Sequence, residues 1–267
     1  MSSAVARLPD PAVACRDLGV RVPGRTLVES LELEARGGDF LAVLGQNGAG
    51  KTLTMLTLAG LRAPHSGEAE LKGQPLASLK RHQIARNLAL LPQYVDDAFP
   101  ATVLETVLIG RHPHIGAFAM ESRSDREIAM RSLQRVGLSN FAAREIGTLS
   151  GGERRRVAIA QVLTQAAEVY LLDEPTNHLD PQHQLDVLQT FADEARDGSA
   201  IIASLHDVNL AVRFATRCLL LYGDGRWEVG NTESILDEER LSQLYGTRME
   251  AVRWRNRNIF MATAGGR

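Results

Sequence analysis

Short apolar runs alternate along this chain with segments of helical periodicity. Residues 13–22 and 31–35 read as strands, with Gly37-Gly38-Asp39 as a turn before a continuous apolar run at 40–44. Such a run has no polar face and predicts a strand buried on both sides. Residues 51–61 carry helical spacing, 68–71 return to strand, and 88–91 form another short strand ended by Pro92. From about 102 to 143 helical patterns dominate, with Thr102, Ser124 and Ser139 as expected N-caps. A helix is predicted from Gly152 to about Ala166, then the apolar strand Val169-Tyr170-Leu171-Leu172. Residues 181–196 read as helix, 200–205 as strand and 208–215 as helix; two short strands flank Gly223-Asp224-Gly225. The organisation predicted is one α/β domain over residues 12–250, a helical insertion at about 102–165, and a short tail at 251–267.

Composition narrows the class without naming it. A chain of 267 residues and 29.1 kDa with 44% apolar content can bury a substantial core. Net charge −2 and pI near 6.4 argue against general nucleic-acid affinity. The run Arg154-Arg155-Arg156 has no aromatic stacking platform beside it, so no nucleic-acid partner is expected. Cys15 and Cys218 lie in predicted strands without metal-ligand spacing and read as buried thiols. His82, His112 and His114 lack acidic or cysteine ligands at metal-site spacing, and Pro113 separates the latter two. No apolar stretch approaches the roughly 20 residues of a membrane span, and the N-terminus lacks the ordered regions of a signal peptide. Any membrane role is expected through a partner. No internal repeat occurs, and the glycine loop has one copy.

Three motifs carry chemistry. Gly45-Gln46-Asn47-Gly48-Ala49-Gly50-Lys51-Thr52 matches the phosphate-binding loop in full, between a predicted strand and a predicted helix. Its backbone N–H groups converge on phosphate oxygens, Lys51 reaches the β- and γ-phosphates, and the Thr52 hydroxyl suits Mg²⁺. Asp173 ends an apolar strand, where a carboxylate holds Mg²⁺ directly or through water. Glu174 beside it can polarise an attacking water. Ser150-Gly151-Gly152 opens a helix about twenty residues earlier, a second anion-binding arrangement. The three arginines that follow oppose the helix dipole, so either they lie on a solvated face or negative charge approaches that end.

In this order the motifs resemble those of the ATP-binding subunit of an ABC transporter, over roughly residues 12–245. The resemblance implies a P-loop NTPase core with a mixed sheet, an antiparallel β subdomain and an inserted α-helical subdomain. It implies ATP and Mg²⁺ as cofactors, with nucleotide contacts from Gly45, Asn47, Gly48, Ala49, Gly50, Lys51, Thr52 and Leu53. Gln93 matches the family's glutamine that touches Mg²⁺ and couples to the membrane subunit. Asp180 matches its cross-dimer aspartate, and His206 its γ-phosphate histidine. Ser150, Gly151 and Gly152 of one subunit are implied to close over the nucleotide of another, in a head-to-tail homodimer.

Two positions depart from the family pattern. Val22 stands where many members stack an aromatic on adenine, and Glu153 and Arg155 stand where many have glutamines. Softer resemblances at Arg21-Val22-Pro23-Gly24-Arg25-Thr26-Leu27, Ile109-Gly110-Arg111, Thr176-Asn177-His178-Leu179-Asp180 and Leu205-His206-Asp207-Val208-Asn209 point to the branch that energises import of metal chelates. A ferric siderophore or haem is the implied cargo, with cobalamin import, an exporter and a soluble non-transport ATPase as alternatives. The implied partners are two integral-membrane permease subunits and, indirectly, a periplasmic binding protein. The implied location is the cytoplasmic face of a bacterial inner membrane.

Overall fold

The computed structural model describes residues 10–94, 100–116 and 119–263. Residues 1–9, on which the signal-peptide expectation falls, and the last four of the expected tail lie outside them. In chain order the elements are β1 (Val13–Val22), β2 (Arg25–Ala35), β3 (Phe40–Leu44), α1 (Lys51–Leu58), β4 (Ser66–Leu71), β5 (Gln74–Pro75), α2 (Arg81–Asn87), β6 (Leu88–Leu91), α3 (Val103–Leu108), α4 (Arg123–Arg135) and α5 (Gly151–Thr164). There follow β7 (Val169–Leu172), α6 (Pro181–Arg196), β8 (Ala200–Ser204), α7 (Val208–Phe214), β9 (Arg217–Leu221), β10 (Trp227–Asn231), α8 (Thr232–Ile235), α9 (Glu238–Tyr245), β11 (Met249–Trp254) and β12 (Arg257–Ala262).

A six-stranded sheet runs β10-β9-β3-β8-β7-β6, parallel except for β10. An antiparallel sheet, β2-β1-β4-β5, covers one of its faces together with α1 and α2, and the remaining helices cover the other. The alternation of side chains along a strand divides the interior accordingly. Phe40, Ala42 and Leu44 of β3 enter the helical core with Tyr170 and Leu172 of β7. Leu41 and Val43 enter the core beneath the antiparallel sheet with Val169 and Leu171. The mixed sheet, antiparallel layer and helical insertion all match the architecture implied by the motifs.

Four strand ends converge on one edge of the parallel sheet. Val43 pairs with Ser204, Leu172 with Ala203 and Leu91 with Leu172. Asp173 N–H donates to the Leu91 carbonyl at 2.8 Å, and Leu205 N–H donates to Val43 at 3.1 Å. The residues just past β3, β6, β7 and β8 are therefore brought together at the carboxyl edge, where open α/β sheets bind ligands.

Local differences from the sequence reading have local causes. β2 starts at Arg25 because Pro23 and Gly24, with φ +75° at Gly24, close a tight hairpin with Val22 opposite Arg25. Helix α2, not anticipated, is seven residues long and buries only Ile84, too short a stripe to register as periodic. The cap of α4 is Ser122 rather than Ser124, since Asp125 stands three residues after it and closes a capping box. Ser139 begins a single 3₁₀ turn and caps no α-helix. The segment read as a tail folds back as the β11–β12 hairpin, with Phe260 in the helical core. Among the described residues, no helix is long and apolar enough to cross a membrane.

Candidate active site

The glycine loop links β3 to α1. Gly48 (φ +78°) and Gly50 (φ +103°) are left-handed, a conformation that costs other residues about 1 kcal/mol or more. That backbone turns the loop over the N-terminus of α1. Ala49 is buried beneath the loop, while residues 46–48 form its exposed crest. Lys51 is buried and folds back on the loop: its Nζ donates to the carbonyls of Gly45 at 2.8 Å and Gln46 at 3.1 Å. Burial lowers its pKa, and the charges of Glu174 and Asp173 oppose that shift.

Beyond β7 stand two buried carboxylates, Asp173 at 2% exposure and Glu174 at 6%. One hydroxyl serves both residues: Ser204 Oγ donates to Asp173 Oδ1 at 2.7 Å and accepts from Glu174 N–H at 2.8 Å. Glu174 adopts φ +49°, so its side chain leaves the strand direction. Three donors hold its carboxylate. Gln93 Nε2 donates to Oε2 at 2.8 Å, Asn177 Nδ2 donates to the same oxygen, and His206 Nε2 lies 2.6 Å from Oε1. A buried carboxylate needs such partners to offset its lost hydration.

A cavity of about 620 Å³ joins these parts. Asn47, Gly48, Gly50, Lys51, Thr52 and Leu53 line one side, and Gln93, Glu174, Asn177 and His206 the other. Val22 and Arg25 also line it, Arg25 anchored through Nε to the Gly223 carbonyl at 2.9 Å. Of the remaining predicted residues, Gly45 and Ala49 sit in the loop and Asp173 behind Glu174. Ser150, Gly151, Gly152 and Asp180 lie outside the cavity lining.

Ser150 is the N-cap of α5, and its neighbourhood is closed on itself. Its Oγ donates to Glu153 Oε2 at 2.8 Å and accepts from Glu153 N–H at 3.3 Å, while its own N–H donates to the same carboxylate at 2.7 Å. Those bonds hold the Glu153 carboxyl below its ordinary pKa. A Cβ added to Gly152 would stand 3.3 Å from the His178 carbonyl, so the helix start abuts the segment that follows Glu174. Asp180 caps α6, accepting from His183 N–H at 3.0 Å, and Pro181 occupies the first helical position.

Only part of the arginine run forms the solvated face considered from the sequence: Arg154 is exposed, Arg156 half-buried and Arg155 buried. Arg155 donates to four backbone carbonyls, those of Pro92, Gln93, Asp173 and Glu174. Arg156 Nη1 donates to the Val136 carbonyl at 3.2 Å, and Arg154 Nε to Leu149 at 3.0 Å. Asn177, Ser204, Arg25 and Arg155 escaped the sequence reading as site residues. Asn177, Arg25 and Arg155 lay inside recognised motifs, and Ser204 lay in none.

The ABC transporter family model matches residues 28–177, more than half of the chain. The chain belongs to the ABC transporter family. As a member it is an ATP-binding subunit and an ATPase. The hemin import ATP-binding protein of Deinococcus radiodurans is 43% identical over 216 residues, 79% of this ABC chain and 81% of that protein. One solved structure, of an ABC transporter assigned to the metal-chelate type and in an inward-facing conformation, is similar with TM-score 0.82. It is 30% identical and covers 96% of this chain and 98% of that one. A dimeric ATP-binding cassette in a post-hydrolysis state, bound to ADP and Pi, aligns with TM-score 0.70 at 25% identity. That match covers 81% of this chain and 97% of the other.

Proposed function

We propose that this chain is the ATP-hydrolysing subunit of an importer that carries a metal chelate, haem or a ferric siderophore, across a bacterial inner membrane. The observation that carries the catalytic half of this reading is the clamped carboxylate of Glu174 facing Lys51 and Thr52 across one cavity. The hemin import relative and the metal-chelate transporter support the transport half.

The residues divide the work as follows. The N–H groups around Gly48 and Gly50 receive the phosphates, and Lys51 exchanges the Gly45 and Gln46 carbonyls for β- and γ-oxygens. Glu174 orients a water toward the γ-phosphorus and accepts its proton as the new P–O bond forms and the β–γ bridge breaks. His206 and Gln93 keep the Glu174 carboxylate aimed, with His206 also within reach of the γ-phosphate side of the cavity. Thr52, Gln93 and Asp173 supply only oxygen donors, a set that suits Mg²⁺ alongside nucleotide phosphates. When bound there, Mg²⁺ would neutralise charge on the phosphates.

Ser150 and Asp180 are exposed and stand apart from the cavity, which leaves them available to a second copy. In this reading two copies close head to tail, each offering Ser150, Gly151 and Gly152 to the nucleotide of the other. The residue 12–250 domain, through its helical insertion and the Gln93 loop, passes closure to two permease subunits at the cytoplasmic face, fed by a periplasmic binding protein. Glu174→Gln is expected to abolish ATP turnover while allowing an ATP-dependent dimer. Phosphate release and size-exclusion chromatography measure the two effects, and turnover at the wild-type rate would remove Glu174 from its role.

A further inference from the structure

Arg155 is the buried charge that the nucleotide cavity does not use. It sits on α5, five residues past Ser150, at 6% exposure. Nη1 donates to the carbonyls of Pro92 at 2.7 Å and Gln93 at 3.3 Å. Nη2 donates to those of Asp173 and Glu174, each at 2.7 Å. One planar fork thus grips the backbone just past β6 and just past β7, the two crossovers that present Gln93 and Glu174. Desolvation lowers the Arg155 pKa to about 10, opposed by the charges of Asp173 and Glu174, so the guanidinium stays protonated at neutral pH.

The grip falls on a strained point. Glu174 is left-handed at φ +49°, and its residue is pinned from both sides: Ser204 Oγ takes its N–H and Arg155 Nη2 donates to its carbonyl. A single-residue strain of this kind persists only where neighbours over-determine it. Releasing either one leaves the left-handed residue held from one side only. Ser150, the N-cap of the same helix about one and a half turns before Arg155, has no part in this subunit's own cavity. The first turns of α5 therefore join the signature serine to the catalytic crossovers. The helix tip faces outward and its buried arginine holds the catalytic backbone.

We propose that Arg155 is a positioning residue that couples α5 to Gln93 and Glu174 of its own subunit. Contact between Ser150 and a nucleotide on the partner copy is then felt at this subunit's Glu174. The coupling rests on the dimeric reading above. It needs a planar guanidinium, because the ammonium of lysine presents all its donors from one nitrogen and cannot span four carbonyls.

The test uses the full chain. In a Glu174→Gln background, Arg155→Ala is expected to leave the ATP concentration for half-maximal dimerisation within about twofold, because neither phosphate contacts nor Ser150 are touched. In the background that retains Glu174, Arg155→Ala is expected to lower kcat about 100-fold with KM for ATP within about threefold, the scale of an ångström misplacement at the reacting group. The Hill coefficient for ATP is expected to fall toward one. Arg155→Lys, which keeps the charge but cannot span the four carbonyls, is expected to lower kcat about tenfold with dimerisation unchanged, and it carries the test if the alanine variant does not fold. A kcat within twofold of wild type in both variants overturns the coupling, as does a loss of kcat that only parallels a loss of dimerisation. Failure of Glu174→Gln alone to dimerise with ATP overturns the dimeric reading itself, and the coupling with it.

Discussion

At the scale of single residues, Glu153 is the most informative departure from the family pattern. Its carboxylate receives both the hydroxyl and the N–H of Ser150, so the serine proposed to meet a partner's nucleotide already has an anionic partner. Any phosphate approaching Ser150 meets that negative charge. Glu153→Gln is expected to lower the ATP concentration for half-maximal dimerisation about fivefold, the scale of a solvent-screened charge near a helix N-terminus. The gain should shrink as salt rises, and a titration of dimer against ATP at low and high salt checks both. Acid tests the same contact. The hydrogen bonds from Ser150 hold the Glu153 carboxyl below the ordinary glutamate range, so its contribution to α5 is complete above that range and is lost as pH falls through the lower folded-state value. The residues at this scale that the chain itself made legible are those whose motif is contiguous: the glycine loop, Asp173-Glu174 and the Ser-Gly-Gly turn. Gln93, Asp180 and His206 were named only through the family resemblance. Asn177 and Ser204 were not legible, because an amide and a hydroxyl acquire meaning only from the carboxylate the fold sets beside them. Arg155 was left between two alternatives, because a charge amid charges shows no burial until two neighbouring crossovers supply four carbonyls.

At the scale of elements, the helical insertion is keyed to the rest by close backbone approach. The 3₁₀ segment Ile109–His114 lies against α5, and a Cβ built on Gly110 would stand 2.3 Å from the Gln161 carbonyl. No flexible side chain can yield there, since the obstruction is backbone. Gly110→Ala is expected to destabilise the protein by about 1–3 kcal/mol, the usual cost of overpacking, seen as a lower urea midpoint with the slope unchanged. Arg111 reinforces the same junction, with Nε on Asp125 at 2.8 Å and Nη1 on the Thr164 carbonyl at 3.1 Å. Long apolar strands and well-capped helices were readable because one local period decides each. Helix α2 and the β11–β12 hairpin were not. Their burial is partial, Ile84 in one and chiefly Met249 and Phe260 in the other, so tertiary contact rather than pattern makes them elements.

At the scale of the whole molecule, the sheet separates two interiors, and each keeps one thiol dry. Cys15 lies in the core under the antiparallel layer and Cys218 in the helical one. Burial pushes the Cys15 thiol up to about 12 and Cys218 up to about 11, so neither supplies thiolate at neutral pH. Native protein at pH 8 is expected to react negligibly with a thiol reagent, and unfolded protein to consume two equivalents. Rapid labelling of the native chain would contradict this packing. The order of strands has a further consequence, for the making of the protein. Strand β3 carries the phosphate loop and is flanked by β8 and β9, residues 200–204 and 217–221. On a ribosome it therefore emerges with neither neighbour yet translated. It waits, fully apolar and unpaired along both edges, while β4 to β7 and the helical insertion are synthesised. The nascent chain carries its phosphate-binding sequence early and can assemble the fold around it only near the end of synthesis. Until then that segment is the one most in need of shelter from aggregation.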